Sequence, residues 1–396
     1  CKSQWKYKAV ETEKEALEGA DFVIISILPG TFDEMESDVH TPEKYNIYQS
    51  VGDTAGPGGI LRALRTIPMF EEIAENIKKY CPDAWVINYT NPMTMCVKTL
   101  YKVFPEIKAF GCCHEVFGTQ KLLVNALEDI KGIKDVKRED IKVNVVGVNH
   151  FTWLTKAQYK DIDIFPVYRE FAEKYKDNGF VKKSDENWMN KYFSCSEKVK
   201  IDLFLRYGSI AAAGDRHLAE FCPGDWYLKD KETVEKWGFA LTPVSWRKDD
   251  LEKRLERSER LYSGEEKFEL KETGEEGVQQ IRALLGLGDL VTNVNIPNYG
   301  QIPNLPIGAV VETNACFRAN LLNPVFAGNI PQTIYPLISR VCGEQEQVVD
   351  CALNRDLDGV FNAFAADPNM CISVSDARKL FDEMVDNTKE YLKMYF

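Results

Sequence analysis

Short apolar runs alternate with helical segments through the first 150 residues, and this alternation constrains the fold more than any other feature. The run from Asp21 to Leu28 is almost continuously apolar, as in strands that are buried on both faces. Composition predicts further strands at 7–10, 84–88, 107–112 and 142–148, and helices at 13–19, 60–80, 92–103 and 118–126. Such alternation predicts an α/β fold with a Rossmann-like, doubly wound parallel sheet.

The pattern changes after about residue 150. Long helices are predicted at 249–262 and 274–286, and strands at 293–298 and 309–313. We therefore predict a dinucleotide-binding domain over residues 1–148 and a mixed α+β substrate and catalytic domain over residues 149–396.

Charge and cysteine content narrow the class of protein. The chain has 49 Lys and Arg against 61 Asp and Glu, a net charge of −12, which argues against nucleic acid or an anionic membrane as the main partner. No apolar run approaches the length of a membrane span, and the first residues do not resemble a signal peptide. The 11 scattered cysteines indicate reduced thiols, so we expect a cytoplasmic protein.

Polar pairs follow four of the predicted strands: Pro29-Gly30, Asn91-Pro92, Cys113-His114 and Asn149-His150. In doubly wound sheets, ligands bind beyond the carboxyl ends of the strands. The sequence therefore predicts a site along this edge of the sheet.

Cys113 and His150 are the candidate metal ligands. A thiolate and an imidazole suit a borderline divalent cation, and two protein ligands leave positions open for substrate and water, as in catalytic sites. The alternative is a buried cysteine and a hydrogen-bonded histidine with no metal.

Two further groups could carry acid–base chemistry. His114 follows the candidate ligand directly and could act as a general acid or base, or simply be a surface or capping histidine. Asp215, Arg216 and His217 are consecutive; they could supply a base and a cation that binds a carboxylate, or they could form an ordinary helix start with Asp215 as its cap.

Two motifs admit both a binding and a structural interpretation. Asn91 offers a donor and an acceptor that could contact a nicotinamide ribose and a sugar hydroxyl, although Asn-Pro also suits a strand-to-helix turn. The Gly56-Pro57-Gly58-Gly59 run could leave backbone N–H groups facing an anion, but glycine-rich helix starts are common.

Taken together, these motifs resemble glycoside hydrolase family 4, and within it the α-galacturonidase branch. The similarity extends over nearly the whole chain and is carried by the runs 53–60, 88–93, 111–123, 148–153, 213–221, 304–306 and 311–312. The resemblance implies NAD and Mn²⁺ as cofactors, a small sugar substrate carrying a uronic acid, and a homodimer or homotetramer. It also implies oxidation at C3 of the sugar by NAD, loss of the C2 proton and the leaving group, addition of water and re-reduction, which differs from the usual two-carboxylate mechanism.

Site residues follow from the resemblance position by position. Cys113 and His150 correspond to the metal ligands and His114 to the proton donor, and Asp53 matches an acidic position of the catalytic centre. Asp215 and His217 are the nearest candidates for the C2 base. The residues expected to contact substrate or NAD are Asn91, Asn149 and Arg216 for the sugar, and Ile27, Leu28, Pro29 and Asn91 for NAD.

The chain departs from the family at its start, where relatives have a strand and a glycine loop that binds the pyrophosphate. We expect about two strands and that loop to be absent here, which leaves an N-terminally incomplete Rossmann-like sheet; either the sequence is a fragment or the protein has lost its grip on NAD. Three alternatives to a galacturonidase therefore stay open. The first is a member of the same family that cleaves neutral α-galactosides or α-glucosides. The second is a metal-independent dehydrogenase of the lactate and malate type, and the third is a truncated, inactive relic.

Overall fold

The structure, a computed structural model, describes residues 6–181, 195–241, 243–269 and 275–396. The strands are β1 (Phe22–Ile25), β2 (Trp85–Asn88), β3 (Lys108–Gly111), β4 (Ile141–Val148), β5 (Phe151–Tyr159), β6 (Ile162–Asp163), β7 (Ile210–Ala211), β8 (Leu290–Pro297), β9 (Val310–Arg318) and β10 (Leu321–Pro324). They form a six-stranded sheet of order β1-β2-β3-β8-β9-β10, and a four-stranded sheet in which β5 pairs with β4, β6 and β7.

The helices cover the faces of both sheets. They are α1 (Glu13–Leu17), α2 (Phe32–His40), α3 (Gly56–Tyr80), α4 (Met93–Val103), α5 (Glu115–Lys131), α6 (Ile164–Tyr175), α7 (Lys198–Tyr207), α8 (Asp215–Phe221), α9 (Gly224–Tyr227), α10 (Lys231–Trp237), α11 (Val244–Ser263), α12 (Gly277–Leu284), α13 (Tyr335–Leu353), α14 (Leu357–Ala366) and α15 (Val374–Asn387). Among the described residues, no helix is long and apolar enough to span a membrane.

The larger sheet confirms the predicted α/β class, with one change in its membership. Strands β1, β2 and β3 are parallel and alternate with helices, as the sequence predicted. Strand β8 then joins β3 in the antiparallel sense, with Gly111 opposite Asn295, and β9 and β10 continue the sheet. The strands predicted at 293–298 and 309–313 are therefore present, but they complete the first sheet. Local patterns predict a strand, and its partner depends on contacts far away in sequence.

Two strand predictions fail in detail. Residues 7–10 form no strand, since Tyr7 is 87% exposed and has no apolar surface to cover. The strand predicted at 142–148 exists as β4, but it pairs antiparallel with β5 through the two-residue turn Asn149–His150 and does not join the parallel sheet. An alternating or apolar sequence pattern does not distinguish a strand of the parallel sheet from a strand of an antiparallel hairpin. The domain boundary at 148/149 stays a prediction.

Helix α3 occupies the centre of the molecule. Its side chains Phe70, Ala74 and Ile77 pack on the core beside β1 and β2, while Ile60 and Leu64 pack against the C-terminal helices α13 to α15. Because this helix is covered on both sides, the loop before it is held firmly against the carboxyl ends of the strands.

Candidate active site

A cavity of ≈ 530 Å³ lies where the carboxyl ends of β2 and β3 approach the β4–β5 turn and the start of α8. The predicted residues that line it are Asp53, Asn91, Cys113, His114, His150, Asp215, Arg216 and His217. Three of the four polar pairs follow strands of the larger sheet, whereas His150 arrives from a hairpin of the smaller one. The prediction that these motifs share one sheet edge is therefore wrong for Asn149-His150, although the motif still reaches the shared cavity.

Asp53 enters the cavity from a loop that precedes α3. The buried Glu220 carboxylate holds this loop, because its Oε1 accepts the backbone N–H groups of Val51 at 2.7 Å and Gly52 at 2.9 Å. Asn91 Nδ2 donates to Asp53 Oδ2 at 3.2 Å. The Asp53 carboxylate is thus fixed both by its own loop and from the end of β2.

The glycine-rich start of α3 serves this loop. Gly56 N–H donates to Asp367 Oδ2 at 3.1 Å and Gly58 N–H to Gln49 Oε1 at 2.9 Å. The anion that the sequence suggested for these N–H groups is therefore the protein's own carboxylate, which satisfies the helix N-terminus internally. A Cβ at Gly59 would lie 2.4 Å from the carbonyl carbon of Thr54, so only glycine allows the loop to pack this closely.

Two imidazoles stack in the cavity wall. The rings of His150 and His217 lie 3.8 Å apart between centroids, with 22° between their planes. His150 has a φ of 62° in the β4–β5 turn, a left-handed conformation that costs about 1 kcal/mol or more for a non-glycine residue and is concentrated at functional sites. His217 extends from α8, and its Nδ1 lies 3.3 Å from Glu115 Oε1.

Three side chains are arranged as a divalent cation would require. Asp53, His150 and His217 each offer one ligand atom, and these atoms lie within 4.8 Å of one another. A carboxylate oxygen and imidazole nitrogens are common ligands of divalent transition metals. These residues therefore fit a metal ion of the kind that the sequence predicts.

Thr54 sets the tautomer of His150. Its hydroxyl donates its one proton to Asp53 Oδ1 at 2.7 Å, so towards His150 Nδ1, 3.0 Å away, it accepts. His150 consequently carries its proton on Nδ1, and its Nε2 lone pair is available to a cation. A partner that holds the other ring nitrogen in this way is the usual support of a histidine ligand.

The charges of Asp53 and His150 agree with this arrangement. Burial, reinforced by the neighbouring His217, lowers the pKa of His150 to about 3, so its imidazole is neutral. Burial would raise the pKa of Asp53, but the nearby His150 and His217 outweigh it and hold that pKa well below its usual range. Burial opposes the charge on His217, yet Glu115 and Asp53 raise its pKa overall. Asp53 as a carboxylate and His150 as a neutral imidazole are thus in the forms that bind cations, whereas the raised pKa of His217 makes its imidazole the stronger base.

Cys113, the other predicted ligand, lines the same cavity but does not belong to this group of three. Burial, together with the carboxylates of Glu312 and Glu115, raises the pKa of the Cys113 thiol well above its usual range. A bound divalent cation is the charge that would stabilise the thiolate here. Its role as a ligand stays a prediction.

His114 lies at the cavity mouth. Its side chain is 65% exposed, and its Nδ1 contacts Glu275 Oε1 at 2.7 Å. The position is open to solvent and to a leaving group, and Glu275 holds the ring through its Nδ1. This geometry is compatible with the predicted proton donor.

Asp215 and His217, the two candidates for the C2 base, are held differently. The Asp215 carboxylate accepts the backbone N–H groups of Val199 and Lys200, each at 3.1 Å, and so caps the start of α7. His217 Nε2 is buried and has no hydrogen-bond partner among the described residues. Because its lone pair is not engaged, the geometry favours His217 over Asp215.

Asn149 belongs to a buried amide network behind the metal candidates. Its Nδ2 donates to Glu312 Oε2 at 3.1 Å, and Asn293 Nδ2 donates to Glu312 Oε1 at 2.6 Å and to the Cys113 carbonyl at 3.3 Å. Asn149 is not among the residues that line the cavity, and it is completely buried. Its predicted contact with substrate stays untested, and its observed contact is structural.

Two guanidinium groups meet on one side of the cavity. Arg216, predicted to bind a carboxylate, donates to the Ala240 carbonyl at 3.0 Å and to the Ser50 carbonyl. Burial lowers the pKa of Arg216 to about 10; Glu220 opposes this shift and the neighbouring Arg247 adds to it. Arg247, in the first turn of α11, also lines the cavity, and burial lowers its pKa as well. Two crowded cations form a natural site for an anionic group.

Sequence reasoning missed Arg247 and Glu115. Arg247 lies in a charged helix whose composition resembles an ordinary solvated surface. Glu115 stood within the quoted motif 111–123 without an assigned role, although a carboxylate at the first position of a helix beside two histidines was a usable signal. In the structure Glu115 accepts the Gly214 N–H at 2.6 Å and holds His217.

The residues predicted to contact NAD lie along the β1 end of the sheet. Ile27 is 37% exposed and Leu28 is 43% exposed, while Pro29 is buried. The Ile27 N–H donates to Thr90 Oγ1 at 2.9 Å, which ties this segment to the residue before Asn91. The exposed apolar side chains of Ile27 and Leu28 therefore lie in a segment that is bonded to the residue before Asn91.

Comparison with known proteins gives consistent results. Residues 1–129 match the model of family 4 glycosyl hydrolases, and residues 145–370 match the model of the family 4 C-terminal domain. The chain is 68% identical over 391 residues to an alpha-galacturonidase from Thermoanaerobacterium saccharolyticum, which covers 99% of this chain and 84% of that protein. It is 53% identical to an alpha-galacturonidase from Bacillus subtilis, covering 96% of this chain and 84% of that protein.

Solved structures agree in fold. A Bacillus subtilis protein described as a glucosidase superposes with a TM-score of 0.92 at 53% identity, covering 96% of this chain and 87% of the other. A 6-phospho-alpha-glucosidase from gut microorganisms, solved with NAD and Mn²⁺, superposes with a TM-score of 0.79 at 21% identity and covers 96% of this chain and 84% of the other.

Proposed function

Because the chain belongs to family 4 of the glycosyl hydrolases, we propose that it hydrolyses α-linked galacturonides. Membership of the family makes the protein a glycosidase, so the metal-independent dehydrogenase considered from the sequence is not supported. The observation that carries the choice of sugar is the 68% identity to an alpha-galacturonidase along almost the entire chain.

The cavity itself supports a uronic acid substrate. A uronate differs from a neutral sugar by a carboxylate at C6, and the Arg216–Arg247 pair supplies two cations on one side of the site. We assign the carboxylate contact to Arg247 together with Arg216, since both guanidinium groups line the cavity.

We propose NAD and Mn²⁺ as cofactors, as found with the similar 6-phospho-alpha-glucosidase. His150 would hold the metal together with Cys113, and Asp53 lies close enough to contribute. When bound, NAD supplies a hydride acceptor for C3 of the sugar and the cation supplies Lewis acidity towards the sugar oxygens. Asn91, Ile27, Leu28 and Pro29 form the proposed NAD contact surface.

The chain's own residues then divide the proton transfers. His217 removes the C2 proton through its unengaged Nε2, while Glu115 holds Nδ1 and stabilises the imidazolium that forms. His114 donates a proton to the departing oxygen at the exposed mouth of the cavity. Asp53, fixed by Asn91, keeps negative charge beside both histidines.

The test is hydrolysis of p-nitrophenyl α-galacturonide with NAD, Mn²⁺ and a reductant, each omitted in turn. The proposal expects loss of activity on omission of NAD or Mn²⁺, and an increase in the Mn²⁺ dissociation constant for Cys113→Ser with Cys316→Ser as a control outside the cavity. Full activity without metal, or unchanged activity in Cys113→Ser, would contradict it. Calorimetry with NAD tests the relic alternative, since a relic would not bind it.

The cellular location and the oligomeric state are also part of the proposal. We place the enzyme in the cytoplasm, because all ten described cysteines are free thiols. We propose a homodimer or homotetramer, which light scattering coupled to size-exclusion chromatography would measure.

A further inference from the structure

The first turn of α11 brings Arg247 into the cavity, yet the helix itself is weakly packed. Val244 is its only buried residue, and apolar side chains farther along remain exposed, with Leu255 at 58% and Tyr262 at 92%. The position of the Arg247 guanidinium therefore depends on what fixes the first turn.

His40, at the end of α2, contacts that turn through a hydrogen bond. The Val244 N–H donates to His40 Nε2 at 3.3 Å, and His40 Nδ1 lies 2.9 Å from Glu43 Oε1. Since Nε2 accepts, the ring proton is on Nδ1 and donates to the Glu43 carboxylate. The His40 ring thus accepts one of the N–H groups at the start of α11 that have no partner within the helix.

Other contacts between α2 and α11 surround this bond. Val244 packs on Met35 and Val39, and Lys248 pairs with Asp33 at 2.6 Å on the exposed side. These contacts hold the helices together, and the bond to His40 adds a polar contact at the first N–H of α11.

Helix α2 is in turn anchored to the centre of the molecule. Asp38 forms a buried two-point ion pair with Arg65 of α3, with 3.1 Å between Arg65 Nη1 and Asp38 Oδ1. A continuous line of contacts therefore runs from α3 through α2 and His40 to the turn that carries Arg247.

We propose that His40 is a positioning residue for carboxylate recognition, which fixes the first turn of α11 so that Arg247 faces the uronate. The inference rests on the proposed function, because it assumes that Arg247 binds the substrate carboxylate. It adds a specificity-determining residue that does not line the cavity.

The experiment compares His40→Ala with His40→Gln, whose side-chain carbonyl can still accept from the Val244 N–H. We expect His40→Ala to raise KM for p-nitrophenyl α-galacturonide about tenfold, the equivalent of one weakened charge-assisted contact, with kcat changed less than about twofold. His40→Gln is expected to restore KM to near the wild-type value. Lys248→Ala, which removes an exposed contact between the same helices, serves as the matched control and should leave KM unchanged.

A double-mutant cycle separates positioning from a general structural effect. In an Arg247→Ala background, adding His40→Ala should produce no further increase in KM, because the group that His40 positions is gone. Additive effects of the two substitutions, or a loss of kcat without a change in KM, would overturn the proposal. A wild-type enzyme that does not cleave the uronide would instead refute the proposed function, so the two failures are distinguishable. If His40→Ala does not fold, a wild-type KM in His40→Leu, which also cannot accept the bond, would overturn the inference.

Discussion

Replacement of Thr54 by valine tests whether the hydroxyl prepares His150 for a metal ion. The Thr54 side chain is 1% exposed and bridges Asp53 Oδ1 at 2.7 Å and His150 Nδ1 at 3.0 Å. Valine keeps the shape but removes both bonds, so the imidazole is no longer confined to the tautomer with a free Nε2. Loss of such an outer partner typically weakens metal binding about 10- to 100-fold. We therefore expect the Mn²⁺ dissociation constant to rise by that factor, or ~1.4–2.8 kcal/mol.

The assay is titration of Mn²⁺ into the purified protein, followed by electron paramagnetic resonance of the free ion. Thr54→Ser is the matched control, since it retains the hydroxyl. Its Mn²⁺ dissociation constant should lie within about threefold of the wild-type value, a difference smaller than the free energy of one hydrogen bond. Wild-type affinity in Thr54→Val would refute the tautomer argument. An equal loss in both variants would show that the methyl group and not the hydroxyl matters.

Three further outcomes follow from the packing around the site. Asp38→Ala leaves the buried Arg65 unpaired, so urea denaturation should show a loss of about 3–5 kcal/mol in the free energy of unfolding. Gly59→Ala should displace the Asp53 loop and abolish most Mn²⁺ binding. Gly118→Ala is the control, because a Cβ there meets nothing within 4 Å, and it should leave the protein unchanged or stabilise it by up to about 1 kcal/mol in thermal unfolding. Equal effects of the two substitutions would contradict this. Burial raises the pKa of Asp367 to about 6, so the folded state binds more protons than the unfolded one above pH ~4. Its contribution to stability therefore falls, by on the order of 2 kcal/mol, as pH rises from about 4 to 6, and Asp367→Asn should flatten that part of the profile; an unchanged slope would contradict the assignment.

Strand ends were the most productive signal in the sequence. Asn91 and Cys113 follow buried strands, and parallel strands necessarily bring their carboxyl ends to one edge, so their shared cavity was predictable from local pattern. His150 reached the same cavity for a different reason, since a hairpin of the second sheet supplies it. The sequence correctly predicted that these residues share one cavity, and it wrongly predicted that the strand before His150 belongs to the parallel sheet.

Long-range pairing accounts for most of what the sequence could not predict. Strand β8 joins β3 across almost 180 residues, and neither strand's pattern specifies an antiparallel neighbour. Arg247 and His40 similarly depend on how α11 meets α2, which is decided by contacts such as Val244 with Met35. The tautomer of His150 depends on one hydroxyl, a detail that residue type alone does not reveal.

Recognition of the substrate carboxylate is tested most directly by the preference of the enzyme for a uronate over the corresponding neutral sugar. The decisive measurement is kcat/KM for p-nitrophenyl α-galacturonide and p-nitrophenyl α-galactoside, determined side by side with NAD and Mn²⁺ present. A buried guanidinium–carboxylate contact is worth about 3 kcal/mol, so we expect the uronide to be preferred by on the order of 100-fold. Equal rates on the two substrates, or a preference for the galactoside, would contradict it.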